Sequence, residues 1–153
     1  MNIYTDASAG EATLLTSLMR RAKAHWGYPN EWMQEWQEEL TLSQDYIESN
    51  IVVKLESEGE LIGFYGLELQ NDIAYLGHLW LEPSKIGHGF GKTLFKKVCE
   101  DAINQGYSAM EFVADPNAEG FYRHQGVVKI GELRGSIFGT PRVLPKMRIE
   151  FNK

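Results

Sequence analysis

The stretch Lys85–Thr93, KIGHGFGKT, sets three glycines between two runs of different periodicity. Before it, YLGHLWL (Tyr75–Leu81) is a short apolar run of strand length; after it, LFKKVCEDAI repeats apolar side chains every three to four residues, as a helix does. A strand that turns through glycines into a helix presents unpaired backbone N–H groups and the positive end of a helix dipole, an arrangement that suits an anion. Two phosphate-binding patterns fail on spacing. Gly91-Lys92-Thr93 supplies the end of a Walker A loop, but its first glycine falls on Ile86. The dinucleotide pattern begins at Gly87 and Gly89 but places Lys92 where its third glycine belongs. The competing reading of an isolated glycine triplet is a purely structural corner.

Working outward, Leu14, Leu15, Leu18, Met19 and Ala22 define an amphipathic helix over about 11–24. HWGYPNEW interrupts it at Gly27, and Pro29 opens a second helix with Trp32, Met33, Trp36 and Leu40 along one side; Ser43 caps a short third. IVVKLE, LIGFYGLEL and IAYLGHLWL, joined by SEGE and QND, read as an antiparallel three-stranded meander. The glycine loop feeds a helix over about 89–105 with Phe90, Leu94, Phe95, Val98, Ala102 and Ile103 inward, ended by Gly106. SAMEFVA is a strand, Asp115 and Pro116 open another helix, and VVKIGEL and VLPKMRIEF close the sheet on either side of a polar RGSIFGTP link. The class is α+β, mixed α/β in the broad sense, with a parallel pairing where the glycine-loop helix crosses over.

The 153 residues suit a single domain, 1–153, and 43% hydrophobic with 24% charged residues is a globular balance. A formal charge of −6 disfavours nucleic acid and anionic membrane surfaces as partners. One cysteine, Cys99, leaves no intramolecular disulfide or thiolate metal cluster, and its place in a helix suggests packing. The opening MNIYTDASAGEATLL lacks the form of a signal peptide, and no run approaches 18 apolar residues, so a cytoplasmic setting is expected.

LEPSKIGHGFGKTLF, followed after one helix and one strand by DPNAEGFYRHQGV, resembles the GCN5-related N-acetyltransferases, the GNAT superfamily. The family motif Gln/Arg-x-x-Gly-x-Gly/Ala reads here Ile86-Gly87-His88-Gly89-Phe90-Gly91: both glycines match, and Ile86 replaces the usual Gln or Arg. A second motif, an asparagine, a Phe-Tyr pair and a glycine, is matched by Asn117, Phe121, Tyr122 and Gly126. The likeness covers about 61–128. It implies a mostly antiparallel central sheet of about six to seven strands, with a splayed parallel pair formed by IAYLGHLWL and SAMEFVA, flanked by about four helices.

The resemblance also implies chemistry. Acetyl-CoA is the cosubstrate, no metal is required, and the acetyl group passes to a primary amine of a small molecule, peptide or protein by direct attack in a ternary complex. Gly87, His88, Gly89, Phe90, Gly91, Lys92 and Thr93 would hold the pyrophosphate, the first six through backbone N–H groups. The main chain of Leu79, Trp80 and Leu81 would pair with pantetheine amides, Asn117 would join the cofactor site, and Tyr122 would be the general acid protonating the leaving thiolate. The proton acceptor stays open among Tyr75, which stands where relatives often carry an acid or histidine, His78, Glu68 and a water chain. Aromatic HWGY, Trp32 and Trp36 offer either acceptor surface or core, and His25, Arg142 and the run Glu31, Glu35, Glu38, Glu39 read equally as solvated surface. The rival to an enzyme is a non-catalytic CoA or acyl-CoA sensor. The assembly is expected to be a monomer or homodimer.

Overall fold

The computed structural model describes residues 1–69 and 71–151. Its elements are β1 (Asn2–Asp6), α1 (Ala12–Ala24), α2 (Asn30–Glu35), α3 (Gln44–Ser49), β2 (Ile51–Ser57), β3 (Glu60–Glu68), β4 (Ala74–Leu81), α4 (Phe90–Asn104), β5 (Ala109–Val113), α5 (Glu119–His124), β6 (Val128–Ile137) and β7 (Thr140–Glu150). The strands form one seven-stranded sheet in the order β1-β2-β3-β4-β5-β7-β6. The β4–β5 ladder is parallel, and the other registers described are antiparallel. This is the mixed, mostly antiparallel sheet expected, with five α-helices among the described residues. The chain divides into two compact units, Met1–Glu68 with Gly77–Val98, and Leu69–Leu76 with Cys99–Lys153.

In the first unit, Leu15, Leu18 and Met19 of α1 recur at helical spacing and are fully buried. They pack in one cluster with Leu40, Leu42, Ile47, Val52 and Phe64, against which Met33, Trp36, Tyr46 and Trp80 lie. Fully burying such side chains contributes about 1.5–3 kcal/mol each. Helix α2 stops at Glu35, shorter than the sequence pattern suggests. Turn bonds beyond it, among them Leu40 N–H to the Trp36 carbonyl (2.8 Å) and Gln37 N–H to that of Gln34 (3.2 Å), still bring Met33, Trp36 and Leu40 to the same core. Ser43 caps α3 by accepting from Tyr46 N–H at 3.0 Å. β2 and β3 are joined by Glu58 and Gly59, both at positive φ (53° and 80°), the signature of a type I′ hairpin whose twist matches the strands.

Strand β1 was absent from the sequence reading. Its NIYTD carries no apolar alternation and is largely exposed, so only its backbone ladder to β2, from Asn2↔Ser57 to Asp6↔Val53, defines it. The RGSIFGTP link is a second departure. It is mostly strand, because β6 runs to Ile137, β7 starts at Thr140, and Phe138 and Gly139 (φ 48° and 80°) make another two-residue turn. The ladder supplies the order that the polar side chains hide.

In the second unit, β5 pairs with β7 from Ala109↔Glu150 to Val113↔Lys146, and with β4 only at Ala74↔Met110 and Tyr75↔Glu111. Helix α4 ends in a Schellman cap: Gly106 has φ 91°, its N–H meets the Ile103 carbonyl (2.9 Å), and Tyr107 N–H meets that of Ala102 (3.1 Å). Ile103, read as inward, is 49% exposed, since it lies on the flank of the stripe that buries Ala102 and Val98.

Gly63 fixes how closely β3 approaches β4. A methyl group there would stand 2.4 Å from the Trp80 carbonyl oxygen, a main-chain atom that cannot swing aside. Gly63→Ala is therefore expected to lower unfolding free energy by about 3 kcal/mol, at the upper end of overpacking costs, in urea denaturation.

Candidate functional site

Strand β4 leaves the sheet at Glu82, whose N–H donates to the Ile62 carbonyl at 2.8 Å. Pro83 then starts a 3-10 turn over Pro83–Lys85, and Ile86 is extended (φ −67°, ψ 141°). Two devices anchor this exit. Arg21 of α1 forks onto Glu82, Nε to Oε1 at 2.9 Å and Nη2 to Oε2 at 2.7 Å, and Lys85 Nζ reaches Glu60 Oε1 at 3.1 Å. The hydrogen bond from Arg21 is the principal cause that raises its already high pKa, so the fork stays ionised.

The loop itself turns on Gly87 (φ 88°) and Gly89 (φ 83°), a conformation that costs an L-residue about 1–2 kcal/mol. Around both positions a Cβ would meet nothing within 4 Å, so the space beside each glycine is open. Gly87, His88 and Gly89 are exposed, and the 15-residue α4 begins directly afterwards at Phe90. First-turn N–H groups have no acceptor four residues back inside a helix. The first turn of α4 holds no acidic residue, whereas Lys92 is exposed there and His88 stands just before it. The helix start is thus without a carboxylate of its own, and main-chain donors beside a lysine fit a diphosphate. Thr93 Oγ1 donates to the Gly89 carbonyl at 3.1 Å, which stiffens the loop.

Leu79, Trp80 and Leu81 form the last three residues of β4, each half-buried. His78 does not present a ready base. Its Nδ1 accepts from the Trp80 indole N–H at 3.0 Å, its ring lies edge-on to Tyr46 (5.1 Å) and tilted on Phe64 (6.3 Å), and burial pushes its pKa down to about 4. The imidazole is neutral and packed. Glu68 is placed otherwise: its Oε2 accepts from the Tyr46 hydroxyl at 2.8 Å, and both atoms lie directly over Gly77. Burial alternates along Ala74, Tyr75 and Leu76 and then ceases to, so Gly77 and His78, although consecutive, both face Tyr46. Tyr46 was missed in the sequence; the signal was Gly66 and Gly77 inside strands, where a missing side chain marks close approach by another group.

Within the second unit, Asp115 accepts from Asn117 N–H (2.8 Å) and from its Nδ2 (2.9 Å), which shapes the 3-10 turn Pro116–Ala118 ahead of α5. The Asn117 amide is therefore engaged locally through its nitrogen. Tyr122 is buried between Phe112 (4.6 Å) and Phe121 (5.2 Å). Burial, with the nearby Asp115 charge, raises its pKa, so the phenol keeps its proton well above neutrality. Tyr75 is on the exposed face of β4, and the Cys99 thiol is pushed up to about 12 by burial. Tyr28, Trp32 and Trp36 form a ring cluster at 5.0–5.9 Å, with Lys23 Nζ over Tyr28 (5.0 Å) and Trp36 (4.7 Å). The chain's own cation already faces these rings. Among the described residues no cluster of His, Cys, Asp or Glu is suited to a metal, and no helix is long and apolar enough to cross a membrane.

His78 has a measurable signature. Its folded pKa lies below the ordinary 6.5, so the unfolded chain binds its proton first as pH falls. The stabilisation is present above pH 6.5 and is lost on descent to about 4, reaching about 3 kcal/mol at most. His78→Asn, which keeps an acceptor for Trp80, is expected to flatten this part of the stability profile between those limits, as read by urea unfolding at several pH values.

Comparison with known proteins agrees with this geometry. Similar solved structures include PaiA N-acetyltransferase from Thermoplasma acidophilum in complex with coenzyme A (18% identity, 98% of this chain and 99% of that one, TM-score 0.73). Others are a GCN5-related N-acetyltransferase from Rhodopseudomonas palustris (16%, 98% and 96%, TM-score 0.80) and the ribosomal-protein-S18-alanine N-acetyltransferase from Escherichia coli (15%, 100% and 96%, TM-score 0.75). Among curated protein sequences none matches significantly. Residues 14–127 match the acetyltransferase (GNAT) family, whose enzymes use acetyl-CoA as cosubstrate, and the chain belongs to that family.

Proposed function

We propose that this chain is a single-domain, cytoplasmic N-acetyltransferase that moves an acetyl group from acetyl-CoA to a primary amine of a small molecule, peptide or protein, acting as a monomer or homodimer. The observation that carries this reading is the open turn at Gly87 and Gly89 leading into α4. The main-chain N–H groups from Gly87 to Lys92 bind the diphosphate through fixed dipoles, with Lys92 adding charge. The main chain of Leu79–Leu81 pairs with the amides of the pantetheine arm as an added strand would. Confinement of the parallel ladder to Ala74 and Tyr75 supports this use of the later part of β4.

Acetyl-CoA supplies an electrophilic thioester, so the protein's task is alignment and proton management. Tyr122 is the proposed general acid. Its raised pKa keeps the hydroxyl in the protonated, donating form at neutrality, and it delivers that proton only to the strongly basic sulfur that forms as the C–S bond breaks. Asn117, through its bond to Asp115, shapes the turn that leads into the helix carrying Tyr122. The aromatic cluster around Lys23 is part of the fold in this reading, since its ring faces already hold a cation.

Calorimetry with CoA tests the cradle. The parent chain is expected to bind, and Gly89→Val, which forces a branched side chain into a positive-φ position, is expected to weaken binding more than tenfold. Thiol release from acetyl-CoA with a panel of amines tests turnover. Tyr122→Phe is expected to lower kcat about a hundredfold while leaving CoA affinity unchanged. Unaltered turnover in that variant removes Tyr122 from the role, and CoA binding without thiol release from any amine favours a sensor.

A further inference from the structure

An amine that attacks a thioester must shed a proton, and three observations converge on where it goes. The first is the clearance around Gly77. A Cβ there would stand 2.0 Å from Glu68 Oε2 and 2.4 Å from the Tyr46 hydroxyl, so the strand lacks a side chain where these oxygens sit. Gly66 on the neighbouring strand repeats the pattern, with the Tyr46 hydroxyl 2.7 Å from its would-be Cβ. The second is fixation. Tyr46 is held at the start of α3 by its N–H bond to Ser43 and by edge contact with His78, and its hydroxyl donates to Glu68 at 2.8 Å. The third is position along β4. Gly77 precedes Leu79 by two residues, about 7 Å of strand. If the diphosphate lies in the loop beyond Leu81, an arm paired with Leu79–Leu81 runs back along the strand, and its thioester end points toward Gly77.

We infer that the Glu68 carboxylate, positioned over Gly77 by its hydrogen bond from Tyr46, accepts the proton of the attacking amine. The inference rests on the acetyl-transfer reading above and names a residue within it. The atoms balance as follows. The nitrogen lone pair forms the N–C bond, an N–H proton passes to a Glu68 oxygen, the C–S bond breaks with its electron pair on sulfur, and the thiolate takes a proton. The transfer accompanies bond formation, when the nitrogen gains positive character and its proton becomes far more acidic than that of a free ammonium. His78 is a poor alternative because its Nδ1 is occupied by Trp80 and its ring is packed. Tyr75 carries a phenol, which is no acceptor at neutral pH.

Packing alone does not need the charge, because a glutamine carbonyl can accept the same bond from Tyr46. Glu68→Gln is therefore expected to keep the parent's CoA affinity within twofold and its melting temperature within a few degrees, while kcat for amine acetylation falls at least about a hundredfold. Glu68→Ala is expected to lose turnover likewise and to regain tenfold or more when sodium formate supplies a carboxylate. Turnover by Glu68→Gln within twofold of the parent overturns the inference. So does a Glu68→Ala protein that stays folded, binds CoA and gains nothing from formate. A parent that binds CoA but releases no thiol with any amine removes acetyl transfer and Glu68's role together, whereas an active parent beside an equally active Glu68→Gln removes Glu68 alone.

Discussion

The arrangement depends on backbone N–H groups that a helix cannot satisfy for itself. The first turn of α4 must leave such donors unpaired, and the loop before it decides whether they face a useful space. Gly87 and Gly89 supply the left-handed turns, and a Cβ at either would meet nothing within 4 Å, so the loop's outer surface is unobstructed there. The strand end is tied to α1 through Arg21 and Glu82 and to β3 through Glu82 N–H and Ile62. The donors are therefore held before any ligand arrives, which reduces the ordering cost of binding. In the proposed function, fixed dipoles would let a chain of net charge −6 take a polyanion without a broad basic surface.

A second use of missing side chains governs β3 and β4. Gly63 lets the strands approach until only a hydrogen fits against the Trp80 carbonyl, and Gly66 and Gly77 open a shelf for the Tyr46 and Glu68 oxygens. In one place the vacancy tightens main-chain packing; in the other it admits polar groups over the sheet. Both depend on exact strand register, which the fully buried Phe64, Tyr65 and Leu67 hold from within β3.

The major helices and central strands were legible because their periodicity and their burial agree. Leu15, Leu18 and Met19 show this for α1, and Leu94 and Val98 for α4. The turn at Gly87 and Gly89 was legible because positive-φ positions require glycine in sequence as well as in space. β1 and the tip of the β6–β7 hairpin were not, since their order comes from main-chain pairing between segments far apart in the chain, Asn2 with Ser57 and Asp6 with Val53, in one case and from a two-residue turn inside a polar run in the other. The Tyr46–Glu68 bond joins residues 22 apart on a helix and a strand, and no periodic pattern encodes such a meeting. His78 shows the reverse: its residue type suggested chemistry, and its neighbours made it a packed, neutral ring.

One of the two edge strands, β6, has a neighbour on one side only and leaves Val128, Ile130 and Leu133 exposed. Such an edge is a template for unwanted strand addition by another chain. Along this one, Glu132 is bridged by Lys129 at 2.7 Å and Arg134 at 2.6 Å, so three charges sit among the apolar side chains. A foreign strand laid against β6 would have to strip water from that triad, which penalises self-assembly while leaving the hairpin free to pair within its own sheet.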